Sequence, residues 1–204
     1  GEQPVIAPPP PEAKPGPVAE RIAEDAAIER RIRSMAHYAA ATAAMERGQG
    51  AEALEEFEQA ALADLTNEKI VLEVVQRLLA QKQFDKVLAL LVKATANPKA
   101  PAKMHARLSE AYARKGKLNL ARIAAEGAIR MAPESILGYK TLIQVYQKEM
   151  KGGAKRLPQI HKTLEQAFAQ KKPNIAFQVE LALMAAGYLE LDKAATDDFK
   201  PRIR

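Results

Sequence analysis

The residue types that carry most protein chemistry are sparse in this chain, and their spacing builds no reactive site. There is no cysteine, so thiolate metal sites, disulfides and a thiol nucleophile are all excluded. Adjacent carboxylates occur at Glu55-Glu56 and Asp197-Asp198, but neighbours on a helix point to different faces and do not form a two-carboxylate catalytic pair. Ser34, Ser109 and Ser135 lack the flanking glycines of a nucleophile elbow. The run Gly48-Gln49-Gly50-Ala51-Glu52-Ala53 satisfies a loose G-x-G-x-x-A spacing. That fingerprint needs a preceding strand, and here an Ala-rich helical stretch precedes it, so the glycines read as a turn between helices. No Gly-Lys-Ser/Thr phosphate cradle exists. The three histidines, His37, His105 and His161, stand singly. No catalytic residue, cofactor-binding set or metal site is expected.

The elements around these residues are helical. Hydrophobic residues make up 48% of the 204-residue chain, yet aromatics are only 5% and Trp is absent, so the apolar content is mainly Ala, Leu, Val and Ile. Combined with abundant Glu, Lys and Arg, this composition favours helix, since those side chains lose little freedom there. The longest compact apolar run, Val87 to Val92, is flanked by Lys86 and Lys93 and is far too short to cross a bilayer. Net charge is +6, a mild excess that suits an acidic partner or a solvated surface equally.

Prolines concentrate in residues 1–17, including Pro8-Pro9-Pro10-Pro11, Pro15 and Pro17, which predicts an extended linker. Residues 18–33 follow without Gly or Pro. Here Val18, Ile22, Ile28 and Ile32 make only a weak apolar stripe among charges. This stretch reads either as a separate helix breaking near Ser34 or as the front of one helix reaching Arg47. The chain starts at Gly1 rather than Met, so a signal or anchor is expected upstream, placing the protein in a bacterial periplasm or cell envelope; the cytoplasm is the alternative.

From residue 34 onward a helix-turn-helix pattern recurs every 34 residues. Its clearest unit has Leu108 and Tyr112 on the first helix, Gly116 in the turn, Ala121 and Ala128 on the second helix, and Pro133 at the close. One period earlier stand Val74, Leu78, Lys82, Val87 and Ala94, with Pro98 one place early; two periods earlier stand Ala40, Ala44, Gly48, Ala53, Ala60 and Leu65. Phe57, Leu91 and Ala125 share a further position. Small residues let two antiparallel helices cross closely, and glycine supplies the positive φ of a helix-ending turn. A fourth unit begins near Ile136, with Leu142 and Tyr146 in register. Its second helix, around Leu157 to Gln170, is displaced by a longer loop through Gly152-Gly153, with Ala167 as its crossing residue. After Pro173, Ala176 to Glu190 forms another first-type helix, and Asp192 to Phe199 a truncated cap.

This pattern resembles the tetratricopeptide-repeat family. The resemblance implies an all-α, right-handed superhelical solenoid over residues 34–204, with four repeats and a partial capping repeat. It also implies that the first helices line a concave groove that holds a partner. The groove positions would be Tyr38 and Thr42, then Lys69, Glu73 and Gln76, then Lys103, Arg107, Glu110 and Arg114, and finally Lys140, Gln144 and Lys148. His37 and His105, two periods apart, fall at a packing position about 20 Å from each other at 8–10 Å per helix, too far to share a metal. The family's chaperone-adaptor subgroup grips a terminal carboxylate with five polar residues. Lys103 and Arg107 match two of them, but Tyr38, Thr42 and Glu73 do not match the others, so that clamp is incomplete.

The expected function is a non-enzymatic scaffold for a protein or peptide with an acidic portion. Self-association through helix 18–33 or through the array ends is a further expectation. The alternative is RNA binding by the basic C-terminal half, through Lys148, Lys151, Lys155, Arg156 and Lys162. Against it, Tyr112, Tyr146 and Phe84 fall at core positions rather than on a stacking surface, so nucleic acid is the less favoured partner.

Overall fold

The computed structural model describes residues 16–152, 155–171 and 173–191. The proline-rich stretch before Gly16 and the expected cap at Asp192–Phe199 lie outside them. The described residues form nine helices and no strand: α1 (Pro17–Glu46), α2 (Gly50–Ala63), α3 (Glu68–Ala80), α4 (Phe84–Thr95), α5 (Ala102–Arg114), α6 (Leu118–Met131), α7 (Ile136–Lys151), α8 (Leu157–Phe168) and α9 (Ile175–Leu191). Each helix packs on its neighbour in sequence, and α7 also touches α5 and α9 directly, as expected for stacked hairpins.

Three turns set the repeat. Gly48, Lys82 and Gly116 take φ of 75°, 57° and 73°. At each, the chain reaches back with the same pair of backbone bonds: Gly48 N to the Met45 carbonyl at 2.9 Å, Lys82 N to Leu79 at 3.0 Å, and Gly116 N to Ala113 at 3.2 Å. The next amide then bonds to Ala44, Leu78 or Tyr112, each at 2.9 Å. This left-handed cap satisfies the last carbonyls of a helix. Lys82 adopts it without being glycine, a conformation that costs an L residue about 1–2 kcal/mol.

The second helices then cross the first at alanines. Ala53, Ala60, Ala121 and Ala128 have no solvent exposure, and Val87, Ala94 and Ala167 have 1%. Phe57, Leu91 and Ala125 lie buried at their shared position. Ala40 departs from the expected pattern and remains exposed. Its equivalent in the fourth unit, Leu142, packs against Ile129 on the second helix of the preceding unit, and among the described residues no second helix stands before α1. The core divides in two within α6: Ala124 joins the apolar cluster of the first three units, while Ala125 joins a second one reaching Tyr188.

Helix α1 is a single 30-residue helix, so no break occurs at Ser34. The Ser34 hydroxyl instead donates to the Ala60 carbonyl at 2.8 Å, pinning α1 to the end of α2. Among the described residues the half of α1 before Ser34 has no second helix against it, and Val18, Ile22, Ile28 and Ile32 stay exposed. At the other end, α1, α3 and α5 stop at Glu46, Ala80 and Arg114, whereas α7 runs three residues beyond the corresponding Lys148, to Lys151. Glu149, 7% exposed, lies in this extra turn. Arg122 on α6 and Arg156 at the start of α8 approach its carboxylate to 3.1 and 2.6 Å. This ion cluster ties the end of α7 and the start of α8 to α6 of the preceding repeat.

Two close approaches set local tolerances. A Cβ on Gly138 would sit 2.7 Å from the Ile129 backbone nitrogen, so α7 meets α6 there with no room for a side chain. A Cβ on Gly127 would sit 2.9 Å from His105 Nδ1. Burial and then the nearby Arg130 charge hold the His105 pKa below its usual value, so folding favours the neutral ring.

Lys82→Gly should relieve the left-handed strain and raise stability by about 0.5–1 kcal/mol, whereas Gly116→Ala should lower it by a similar amount; urea melts of both variants check this. Because the folded chain binds fewer protons at His105 than the unfolded chain, stability contributed there is complete above the unfolded pKa of about 6.5 and is lost as pH falls below it. The fall in melting temperature from about pH 7 to about pH 5 should therefore be smaller in His105→Gln than in the wild type.

Candidate protein-binding face

All twelve positions expected to line a groove lie on first helices: Tyr38 and Thr42 on α1, Lys69, Glu73 and Gln76 on α3, Lys103, Arg107, Glu110 and Arg114 on α5, and Lys140, Gln144 and Lys148 on α7. Each is exposed or half-buried. The opposite sides of these helices are spent on packing, which leaves this face to solvent.

In the first two repeats the face is an interlocked network. The Tyr38 hydroxyl donates to both Glu73 oxygens, at 3.0 and 3.1 Å. Arg77 donates to Glu73 at 2.7 Å, and its guanidinium carbon stands 3.9 Å above the Phe57 ring centroid. Tyr38 in turn meets Phe57 edge-on at 5.2 Å. The hydrogen bond to Glu73, and then burial, raise the Tyr38 pKa, so the phenol stays a donor. Glu73 is therefore not a bare negative charge on the face, because Arg77 compensates it. Arg77 is absent from the expected set, although its spacing one helical turn after Glu73 signals the pair. Thr42 turns its hydroxyl back to the Tyr38 carbonyl at 3.0 Å. Beside this network lies an open pocket of about 480 Å³, walled by Met35, Tyr38, Ala39 and Ile70 and rimmed by Asn67, Lys69 and Glu73.

In the third and fourth repeats the face carries cations, most of them paired. Lys103 approaches Glu68 at 3.6 Å, Arg107 approaches Glu110 at 2.8 Å, and Lys140 approaches Glu180 of α9 at 2.9 Å. Lys148 donates to the Ala113 carbonyl, capping the end of α5. Lys69 and Arg114 make no ion pair among the described residues. The Lys103, Arg107 and Lys140 pairs are solvent-exposed, with side-chain accessibilities of 35–68%. Such pairs are worth about 0–1 kcal/mol and exchange partners at little cost.

The remaining polar candidates serve the fold. His37 Nδ1 sits 2.7 Å from Glu56, His105 packs against α6, and His161 meets the Tyr188 ring edge-on at 5.9 Å. Tyr146 is buried and Tyr112 packs against the first apolar cluster. Arg156, grouped by sequence with cations suited to phosphate, is committed to Glu149. Among the described residues no helix is long and apolar enough to cross a membrane.

No protein-family profile and no curated protein matches the chain. Solved structures do. MamA from residue 41 to its end, from Desulfovibrio magneticus RS-1, aligns at 15% identity and a TM-score of 0.51, covering 84% of this chain and 93% of that one. A double mutant of MamA RS-1 aligns at 14% identity and 0.53, covering 84% and 92%. A PilF of Pseudomonas aeruginosa, 19% identical over 82% of this chain and 81% of its own, overlaps at only 0.48. MamA is a tetratricopeptide-repeat protein, and at these identities the likeness is one of fold. By that fold, and by a 34-residue register carried on its own residues, the chain is a tetratricopeptide-type helical-repeat solenoid.

Proposed function

We propose that this chain is a non-enzymatic scaffold that holds an extended, acid-bearing segment of a partner protein across the face of its first helices. The observation that carries the reading is the distribution of charge on that face. Cations gather at Lys103, Arg107, Arg114, Lys140 and Lys148, while on α3 Glu73 is spent internally on Tyr38 and Arg77 and Glu68 reaches across to Lys103. The pairs that occupy Lys103, Arg107 and Lys140 are exposed and weak, so a guest carboxylate can displace Glu68, Glu110 or Glu180 without stranding a buried charge. Rigid helices present these cations at fixed spacing, which lowers the ordering cost of binding an extended chain.

RNA binding draws less support. It wants aromatic rings free to stack bases, and Tyr112 and Tyr146 are held by packing.

The test is fluorescence anisotropy with a labelled Glu/Asp-rich peptide, alongside an oligouridine of similar length. The peptide should bind, weaken as salt rises, and lose about tenfold or more in affinity to Lys103→Glu/Arg107→Glu. Both substitutions are at exposed positions and should leave the circular dichroism spectrum unchanged. Peptide affinity indifferent to the double variant would contradict the reading, and tighter binding of the oligouridine at low salt would favour the RNA alternative.

A further inference from the structure

The two halves of the face differ in kind. The pocket between α1 and α3 has carbon walls: the exposed Met35, Ala39, the side of Ile70 and the Tyr38 ring. Its polar rim is mostly spent. The Tyr38 hydroxyl is committed to Glu73, Glu73 to Arg77, and the Asn67 side chain accepts from the Ile70 amide at 3.2 Å as the cap of α3. Lys69, which is exposed and makes no ion pair among the described residues, and the amide nitrogen of the Asn67 side chain are the polar groups left on that rim. A guest group seated there meets carbon surface and finds few open hydrogen-bonding partners, which selects an apolar side chain. The next helices along the face, α5 and α7, present Arg107, Arg114 and Lys140 instead.

We infer that the partner segment is bipartite: one aliphatic or aromatic side chain anchors in the Met35–Tyr38–Ala39–Ile70 pocket, and a short acidic run follows over α5 and α7. This rests on the reading of the face as a site for an acid-bearing peptide and adds its second determinant and its register. First helices spaced by about 8–10 Å place α5 about 10–15 Å from the pocket and α7 about 10 Å further. An extended chain covers about 3.3 Å per residue, so the acidic positions fall about four to eight residues from the anchor. Charge complementarity commits the occupant to a partner of this chemistry, because a wholly apolar segment would leave the cations of α5 and α7 unused.

The probes are two labelled peptides of equal length, about 12 residues, identical except at one position. Each carries three glutamates placed about six residues from either a leucine or a serine. Against the full chain, the leucine peptide should bind about tenfold or more tightly, the return expected for burying one such side chain. Met35→Gln/Ala39→Gln replaces exposed helical positions with a good helix former and should leave the melting curve unchanged. It should reduce the leucine-to-serine preference to less than about twofold while leaving salt dependence intact. Equal binding of the two peptides would overturn the anchor and leave the acidic reading standing. No binding of either at low salt would overturn both. A preference that survives the double variant would place the anchor elsewhere. A concentration-dependent dimer in sedimentation velocity that the double variant dissolves would assign the pocket to a second copy of this chain and also overturn the proposal.

Discussion

The structure depends on how closely two antiparallel helices can cross. Ala53, Ala60, Ala94, Ala121, Ala128 and Ala167 lie at those crossings with at most 1% exposure, and a larger side chain at any of them must push the pair apart. Overpacking of this kind costs about 1–3 kcal/mol. The left-handed caps at residues 48, 82 and 116 turn the chain back in the same way in each of the first three units. Once both flanks of a first helix are spent on its own partner and on its neighbours, a single side remains open. The candidate binding face is what that packing leaves over.

Charge then differentiates a face that packing alone makes uniform. In the first two repeats a carboxylate, a phenol, a guanidinium and an aromatic ring close on one another, and their polarity is spent there. In the third and fourth, acids and bases are paired across helices but remain in solvent, where each pair is weak. Away from these pairs, the buried Glu149 carboxylate lies between the half-buried Arg122 and Arg156, joining the end of α7 to α6 and to the start of α8. The charges that brace the fold are thus distinct from those on the open face.

Much of the architecture was legible in the residues. The 34-residue register, the crossing alanines and the helix that follows Pro173 all leave local marks, because glycine, proline and alanine act through short-range sterics. Lys82 was legible as the counterpart of two glycines, but the strain it bears was not. Ala40 matched the register yet stays exposed, since burial there depends on a preceding unit. The continuity of α1 through Ser34 was undecidable from a weak stripe; the bond from Ser34 to Ala60 is a tertiary fact. The face was legible as positions and not as chemistry. Lys140 with Glu180, or Tyr38 with Glu73, are pairs 40 and 35 residues apart whose meeting depends on interhelix distance. Met35 and Ala39 escaped notice because an apolar residue on a helix reads as core until its neighbours are placed.

The central claim is that partner binding uses the first helices and not the second. Amide hydrogen exchange on the full chain, with and without a saturating acidic peptide carrying an apolar anchor, tests it most directly. The account predicts added protection in α1, α3, α5 and α7, centred near Met35–Thr42, Lys69–Gln76, Lys103–Arg114 and Lys140–Lys148. Protection confined to α2, α4, α6 and α8 would contradict it.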